Sequence, residues 1–439
     1  MKYPVFILLF FFNLIFGQNG LQIPENTSQI KIPFRLINNL IFIESEINGI
    51  PMTLLLDTGV SETIIFSIEE KEITLKNTEK INFTGLGEGT ETQGLVSKNN
   101  KLEIGKLLDN SHTLYIILNT DFNFSSQIGI PVNGIIGYDF FENHPVKIDY
   151  QKKRITLYKD RVLAKRKTKN YQEIPISIEN NKPYLEAQVQ LKSDNKKSKL
   201  LIDTGNSDAL WLFPNKIENF QLGAPFFEDY LGRGFNGDIH GKKSRISTVN
   251  FGSFMLNKTT VSLPDDEAIK SLNLVTNRVG SVGDEILKRF DVVFDYKNQK
   301  IYLKKNKDFD DPYHFNMSGL EFKHQGMQWE KIWVSMDEKK HKKNEDENAV
   351  FSNFQYKFQL KPVFAIAACR PNSPADQSGL KKDDIILAIN GKPASNLSLQ
   401  DLINLMKSEE GKEIFMTISR NEKKMDFSFI LKDPIPISE

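Results

Sequence analysis

The chain has a single cysteine, Cys369, in 439 residues, so no disulfide can form within it. Its stability must come from apolar cores, and it is long enough for about three domains. Six histidines are scattered and none stands in an H-E-x-x-H pattern, which leaves a zinc hydrolase unsupported. No metal and no cofactor is expected. Lys and Arg number 57 against 56 Asp and Glu, and a net charge of +1 gives no reason to expect a nucleic-acid partner. A glycine-rich loop ending in Lys-Ser or Lys-Thr is missing, so no phosphate cradle is expected. No serine has the G-x-S-x-G setting of a serine hydrolase. Long apolar runs are also missing, except at the start. There Met1-Lys2-Tyr3 precedes an apolar stretch from Val5 to Phe16 and then Gly17. A positive start, a short apolar core and a small residue predict a secretory signal peptide over 1–17. The stretch is short for a bilayer span, and no cysteine follows it to carry a lipid. The mature chain is therefore expected to be secreted or periplasmic, with no transmembrane span after signal cleavage. An uncleaved anchor is the alternative.

What the chain does contain is a repeat. Asp57-Thr58-Gly59 and Asp203-Thr204-Gly205 lie 146 positions apart. Each follows an apolar run, Leu54-Leu55-Leu56 or Leu200-Leu201-Ile202, and each is followed after one residue by a serine, Ser61 or Ser207. A lone D-T-G is weak evidence, but the spacing persists. Gly137 to Phe141 stands against Gly283 to Leu287. Val146, Asp149, Tyr150, Ile155, Leu157 and Lys159 match Val292, Asp295, Tyr296, Ile301, Leu303 and Lys305. Upstream, Ile32-Pro33 matches Ile174-Pro175 at an offset of 142, so the second copy has gained about four residues, expected in the polar stretch Lys192 to Ser198. Two duplicated and fused lobes explain this pattern. Residues alternate around Ile41, Ile43, Ser45 and Ile47, and again over Tyr184 to Leu191, which predicts half-buried strands. Asp149 to Lys152 and Asp295 to Asn298 read as hairpin turns. A short helix is expected after Gly137 and after Gly283.

Two carboxylates held close cannot both ionise cheaply, so one keeps a proton while the other is charged. The charged member can take a proton from a water between them, and the protonated member can donate to a carbonyl oxygen. Such a pair titrates as a unit. Gly59 and Gly205 permit a tight turn that brings main-chain amides to the carboxylates. Thr58 and Thr204 have hydroxyls suited to bonding across the interface. Ser61 and Ser207 are expected to bond the carboxylate oxygens.

These lobes resemble the pepsin/retropepsin superfamily of aspartic peptidases, over roughly residues 30–305. The motif there is two hydrophobic residues, D-T-G-x-S/T, and later two hydrophobic residues and Gly. Leu55 to Ser61 with Ile135-Ile136-Gly137 match it once, and Leu201 to Ser207 with Ser281-Val282-Gly283 match it again. The resemblance implies that Asp57 and Asp203 are the catalytic pair, supported by Thr58, Gly59, Ser61, Thr204, Gly205 and Ser207. Val60 and Asn206 replace the usual small residue, Ser281 is polar where an apolar residue is usual, and no pepsin-like flap tyrosine is found. Gly85, Leu86 and Gly87, and Gly232 and Gly234, are the flap and substrate candidates; whether one or both hairpins close is left open. Pepsins usually carry disulfides, so the single cysteine leans towards a bacterial exported enzyme.

The last third differs. Ser373-Pro374-Ala375, Ser378-Gly379-Leu380, Lys382 to Ile386 and Ile389-Asn390-Gly391 resemble the PDZ signature S-P-A-x-x-A-G-L-x-x-G-D-x-I-x-x-I-N-G, with Ser378 for Ala and Asp383 for Gly. Leu399, Leu402, Ile403 and Met406 have helical spacing, and Ile414, Met416 and Ile418 alternate as a strand. A PDZ domain binds an extended peptide along a strand edge and holds its carboxylate with loop amides. Gly319, Leu320, Glu321 and Phe322 are the candidate peptide-binding loop, ahead of a strand around Ile332 to Val334. The lysine-rich run Asp337 to Asn348 then reads as a solvated insertion.

The expected fold is mainly β: two retropepsin-like acid-protease β-barrel lobes, over 30–160 and 171–306, followed by a small α+β PDZ domain over 316–435. The expected activity is that of an exported aspartic endopeptidase acting as a monomer on a peptide or protein substrate, with a peptide as PDZ ligand. The rival reading is a catalytically silent or partner-activated peptide-binding protein of the cell envelope.

Overall fold

The computed structural model describes residues 20–66, 71–83, 92–117, 124–191, 194–234, 237–270, 272–335 and 354–436. The apolar leader, the Gly85 to Gly87 tip and the lysine-rich run lie outside the described residues.

The fold is mainly β, and the same eight-stranded sheet occurs twice. In the first half, Leu40–Ile47 and Ile50–Leu56 form a hairpin. Beside it runs Gly134–Ile136, parallel to Ile50–Leu56, and then Thr63–Ile65. The second half repeats the order with Lys182–Leu191, Asp194–Ile202, Arg278–Val282 and Leu210–Leu212. In each half an extra pairing closes the sheet on itself: Glu46 with Glu103, and Gln188 with Asn250. Closure removes exposed edges and gives a barrel-like body. The extra residues of the second copy are also placed. Phe42 pairs with Leu55 and Tyr184 pairs with Leu201, so the offset is 142 on the incoming strand and 146 on the outgoing one. The gain is a hairpin lengthened on both arms, ending at the pair Leu191 and Asp194.

The halves are joined by a six-stranded sheet drawn from both. Val146–Asp149 lies antiparallel to Phe290–Asp295, with Val146 opposite Phe294 and Ile148 opposite Val292. Val146 and Val292 are equivalent in the duplication, as are Ile148 and Phe294. The pairing is thus self-reciprocal and marks a local two-fold axis. The two expected turns form here, between Val146–Asp149 and Arg154–Tyr158 and between Phe290–Asp295 and Lys300–Lys305. One apolar core runs through both halves and this sheet.

The C-terminal module has a separate core, containing Leu320, Phe364, Ile386, Leu402, Met416 and Ile418. Its sheet runs Leu320–Ser335, Phe354–Cys369, Ile385–Ile389, Glu413–Arg420, Lys423–Ile430, so Leu320–Ser335 is an edge strand. Helix Leu399–Met406 buries Leu399, Leu402 and Met406, and starts at Ser398 with a reciprocal cap to Asp401. Gly379 ends helix Pro374–Ser378 at φ 98°. Asp383, standing where the signature has Gly, takes φ 70°, a left-handed geometry that Asp tolerates better than most residues.

The module is fastened to the second half. Arg289, 1% exposed, donates to the carbonyls of Asp308, Phe309, Asp311 and Pro312 and so fixes the connecting segment. Arg245 pairs with Asp433 at 3.3 Å, both 7% exposed, and donates to the Tyr313 carbonyl at 2.9 Å. Arg370 pairs with Asp229 at 3.5 Å, and Phe315 packs edge-on against Phe227. Replacing Asp433 by Ala leaves a buried guanidinium short of its anion and the Ile435 amide without its acceptor. A loss of about 2–3 kcal/mol is expected, read by denaturant unfolding, with cooperativity reduced if the module loosens first.

Candidate functional site

Asp57 and Asp203 sit where each half's parallel strand pair ends. The Asp57 amide donates to the Ile136 carbonyl at 3.0 Å and the Asp203 amide to the Val282 carbonyl at 2.9 Å. The chain then turns at Gly59 and Gly205. Their amides donate to the carboxylates of Asp57, at 2.7 Å, and Asp203, at 3.1 Å. Both positions require the absence of a side chain. A Cβ on Gly59 would lie 2.7 Å from Asp203 Oδ1, and one on Gly205 would lie 2.2 Å from the Asp57 carboxyl. Each carboxyl therefore lies against the opposite turn, and the two face each other at the local two-fold.

The threonines lock this arrangement. The Thr58 amide donates to Thr204 Oγ1 and the Thr204 amide to Thr58 Oγ1, both at 3.0 Å. Each hydroxyl then donates across the interface, Thr58 to the Ile202 carbonyl at 2.6 Å and Thr204 to the Leu56 carbonyl at 2.9 Å. Both threonines are 0% exposed, so no water replaces these bonds if one is lost.

The serines behave differently from the expectation. Ser61 Oγ donates to the Asn180 carbonyl of the other half at 2.9 Å rather than to a carboxylate. Ser207 is engaged through its carbonyl, which accepts from Asn39 Nδ2 at 2.9 Å. The carboxylates already receive the glycine amides, and past the turn the chain faces the opposite half. The serines therefore tie the halves together.

Burial, and then the charge of Asp203, hold the Asp57 carboxyl well above the usual carboxylate range. Burial raises Asp203 as well, but the Arg278 guanidinium and the hydrogen bond from Asp57 draw it back. The pair thus retains one proton, which belongs to the two carboxyls together. Beneath the pair lies a third carboxyl absent from the sequence expectations. Asp284, fully buried, accepts from the Tyr150 hydroxyl at 2.7 Å. Burial holds it well above the usual range against that hydrogen bond, helped by the charges of Asp203 and Asp57.

A cavity of about 1020 Å³ opens over the pair. Its first-half lining includes Leu40, Ile64, Ile117 and Ile135 beside Glu62 and Gln127, and its second-half lining includes Lys182, Arg278 and Ser281 beside Asp208 and Trp211. Gly232 and Gly234 line it from strand Phe226–Gly234; Gly85, Leu86 and Gly87 lie outside the described residues. The cavity also reaches Glu321 and Phe322. The C-terminal module therefore forms part of its rim.

Residues 43–140 match a family model described as aspartyl protease, and residues 366–420 match one described as PDZ domain. The chain carries an aspartyl protease domain and a PDZ domain. The first match contains Asp57; the second D-T-G lies beyond it.

In the PDZ domain the candidate loop is partly satisfied from within. Asn316 Oδ1 accepts the amides of Ser318 at 3.1 Å and Gly319 at 3.2 Å, and Ser318 Oγ accepts that of Leu320 at 3.0 Å. A peptide carboxylate entering there has to displace Asn316. Leu320 and Phe322 point into the core. Burial raises the Glu321 carboxyl, as does the nearby Asp229 charge, against Lys243 and Lys407. Helix Phe124–Ile128 of the protease domain lies against edge strand Leu320–Ser335.

One histidine has a setting that its sequence neighbours do not reveal. His112 lies with Nδ1 2.8 Å from Asp109 and Nε2 2.8 Å from Thr63 Oγ1. This has the look of a nucleophile triad, but Thr63 is 0% exposed and out of reach of substrate. The group braces the sheet behind Asp57.

Thr58→Val removes the hydroxyl that serves the Thr204 amide and the Ile202 carbonyl. Two buried groups are orphaned, each worth about 1–3 kcal/mol. Unfolding experiments are expected to show that loss for Val and recovery of most of it for Thr58→Ser.

Proposed function

We propose that this chain is an exported aspartic endopeptidase, with lobes over 30–160 and 171–306 that supply one aspartate each. A PDZ domain over 316–435 docks a peptide or protein. The close approach of the Asp57 and Asp203 carboxyls at the floor of a cleft carries the reading. In the resting pair one carboxyl is charged and the other holds the proton. A water between them loses a proton to the charged member as it attacks the substrate carbonyl carbon, while the protonated member donates to the carbonyl oxygen. The resulting tetrahedral species collapses as the leaving amine takes a proton from the pair. Asp284 acts through the pair and touches no substrate. Both aspartates come from one chain, so the rate per enzyme should not depend on dimer formation. Residues 1–17 supply the export signal in this reading.

A second reading, partner-controlled access, is favoured by the PDZ residues on the cleft rim and by the ion pair of Arg370 with Asp229. Asp229 belongs to the strand that carries Gly232 and Gly234. If the PDZ domain restrains that strand, Arg370→Glu should raise kcat/KM several-fold; an unchanged or lower value supports the freely accessible enzyme.

Asp57→Asn or Asp203→Asn alone is expected to abolish cleavage of a denatured protein mixture, and a near-normal rate in either variant contradicts the mechanism. The active form has one proton on the pair. Activity is lost as pH falls through the lower transition, when both carboxyls are protonated, and as pH rises through the upper one, when both are charged. Both carboxyls are raised, so the maximum of kcat/KM should lie above the ordinary carboxylate value of about 4. A maximum below it, with activity gone by about pH 5, contradicts the account.

A further inference from the structure

We propose that the cleft selects peptides with an apolar residue on one side of the scissile bond and an acidic residue on the other, the acidic side chain being received by Lys182 and Arg278. This rests on the peptide-cleaving reading and names its substrate class. With the paired aspartates on a local two-fold axis, the two residues flanking the scissile bond meet equivalent walls of the two halves. Where those walls differ, the two flanks are read differently.

The walls differ in one direction. Leu40 pairs with Ile37 as Lys182 pairs with Glu179. Phe42 pairs with Leu55 as Tyr184 pairs with Leu201. Ile135 lies beside Leu55 as Ser281 lies beside Leu201. Val132 stands two residues before Gly134, which pairs with Leu54; Arg278 stands two before Gly280, which pairs with Leu200. The four first-half residues are buried in one apolar cluster, and of them Leu40 and Ile135 line the cavity. Their counterparts are Lys, Tyr, Ser and Arg, and Ser281 was already a departure from the motif. Duplication began from one sequence, so an apolar wall can serve at these positions, and the fold alone does not require two cations.

Three of the other cavity cations have carboxylate partners, and Lys382 and Lys407 also line the cavity. Lys243 lies 3.5 Å from Asp229, Arg233 3.4 Å from Asp238, and Lys323 2.6 Å from Asp383. Among the described residues neither Lys182 nor Arg278 forms an ion pair within 4.0 Å. Arg278 is held in place by its Nε bond to the Gly280 carbonyl at 3.2 Å and by the Phe213 ring 5.4 Å away. Lys182 and Arg278 are the cations that act on the paired aspartates themselves. A substrate carboxylate beside the scissile bond would meet them there, and a guanidinium suits it geometrically.

The test uses the full chain. Product ends from a peptide library give the flanking preference. Matched peptides with Glu or Gln at the enriched position are then compared in wild type, Lys182→Leu and Arg278→Val, each variant carrying its first-half counterpart. The non-cutting Asp203→Asn chain gives affinities for the same peptides by fluorescence polarisation. The expected result is a Glu-over-Gln preference of about tenfold or more in kcat/KM, falling towards one in both variants. No acidic preference in wild type, or one that persists in Lys182→Leu, overturns the inference. Because Lys182 sits at the cavity edge, that variant decides the matter even if Arg278→Val fails to fold. If wild type cuts nothing while Asp203→Asn still prefers the Glu peptide, the proteolytic reading fails and the recognition inference stands. Cleavage without acidic preference is the reverse.

Discussion

Everything at the centre of this molecule depends on holding two carboxyl groups close together at the floor of a cavity. Left to themselves such groups repel once both ionise. The fold holds them together with the reciprocal bonds of Thr58 and Thr204, whose amides and hydroxyls are all satisfied across the interface. Gly59 and Gly205 leave room for the opposite carboxyl where any Cβ would collide. The repulsion is met by retaining one proton. The threonine lattice is thus a structural device with a chemical result: it holds the two carboxyls so close that the pair keeps a proton.

Two sheets of the same strand order supply this symmetry, and their side chains differ. The self-reciprocal register of Val146–Asp149 with Phe290–Asp295 places the axis. The lengthened hairpin, the carboxyl of Asp284 and the cations Lys182 and Arg278 all belong to the second half. Arg278 has two consequences: it draws Asp203 down against burial, and it places a guanidinium on one cleft wall. The PDZ domain is fixed to the same half by Arg245, Arg289 and Arg370. Its loop amides face inward to Asn316, and its edge strand lies beside helix Phe124–Ile128. Cleft and docking module therefore share a boundary, and whatever moves one acts on the other.

Much of this was legible in the sequence because backbone geometry leaves periodic traces. The constant spacing marked the duplication, alternation marked the strands, and the PDZ signature placed helix Pro374–Ser378, strand Ile385–Ile389 and the Asn390-Gly391 turn. What escaped depends on side chains distant in sequence. The destination of Ser61 is set by Asn180 of the other half, which no local pattern specifies. His112 meets Thr63 only because their strands lie together in one sheet. The cationic wall had a sequence signal, Arg278 against Val132 and Lys182 against Leu40 in the duplicated frame. It acquires meaning only once both positions are seen to line one cavity. The packing of the PDZ domain on the second half left no trace, because ion pairs such as Arg370 with Asp229 join residues that look like ordinary surface charges in sequence.

The most direct test of the shared-proton account is to follow the side-chain carboxyl carbons of Asp57 and Asp203 by ¹³C NMR from pH 3 to 8, assigned with the single Asn variants. The account predicts two coupled transitions, the upper one well above about 4, with one proton retained by the pair between them. Two independent transitions, both near 4, would contradict it and remove the basis for water activation between the two aspartates.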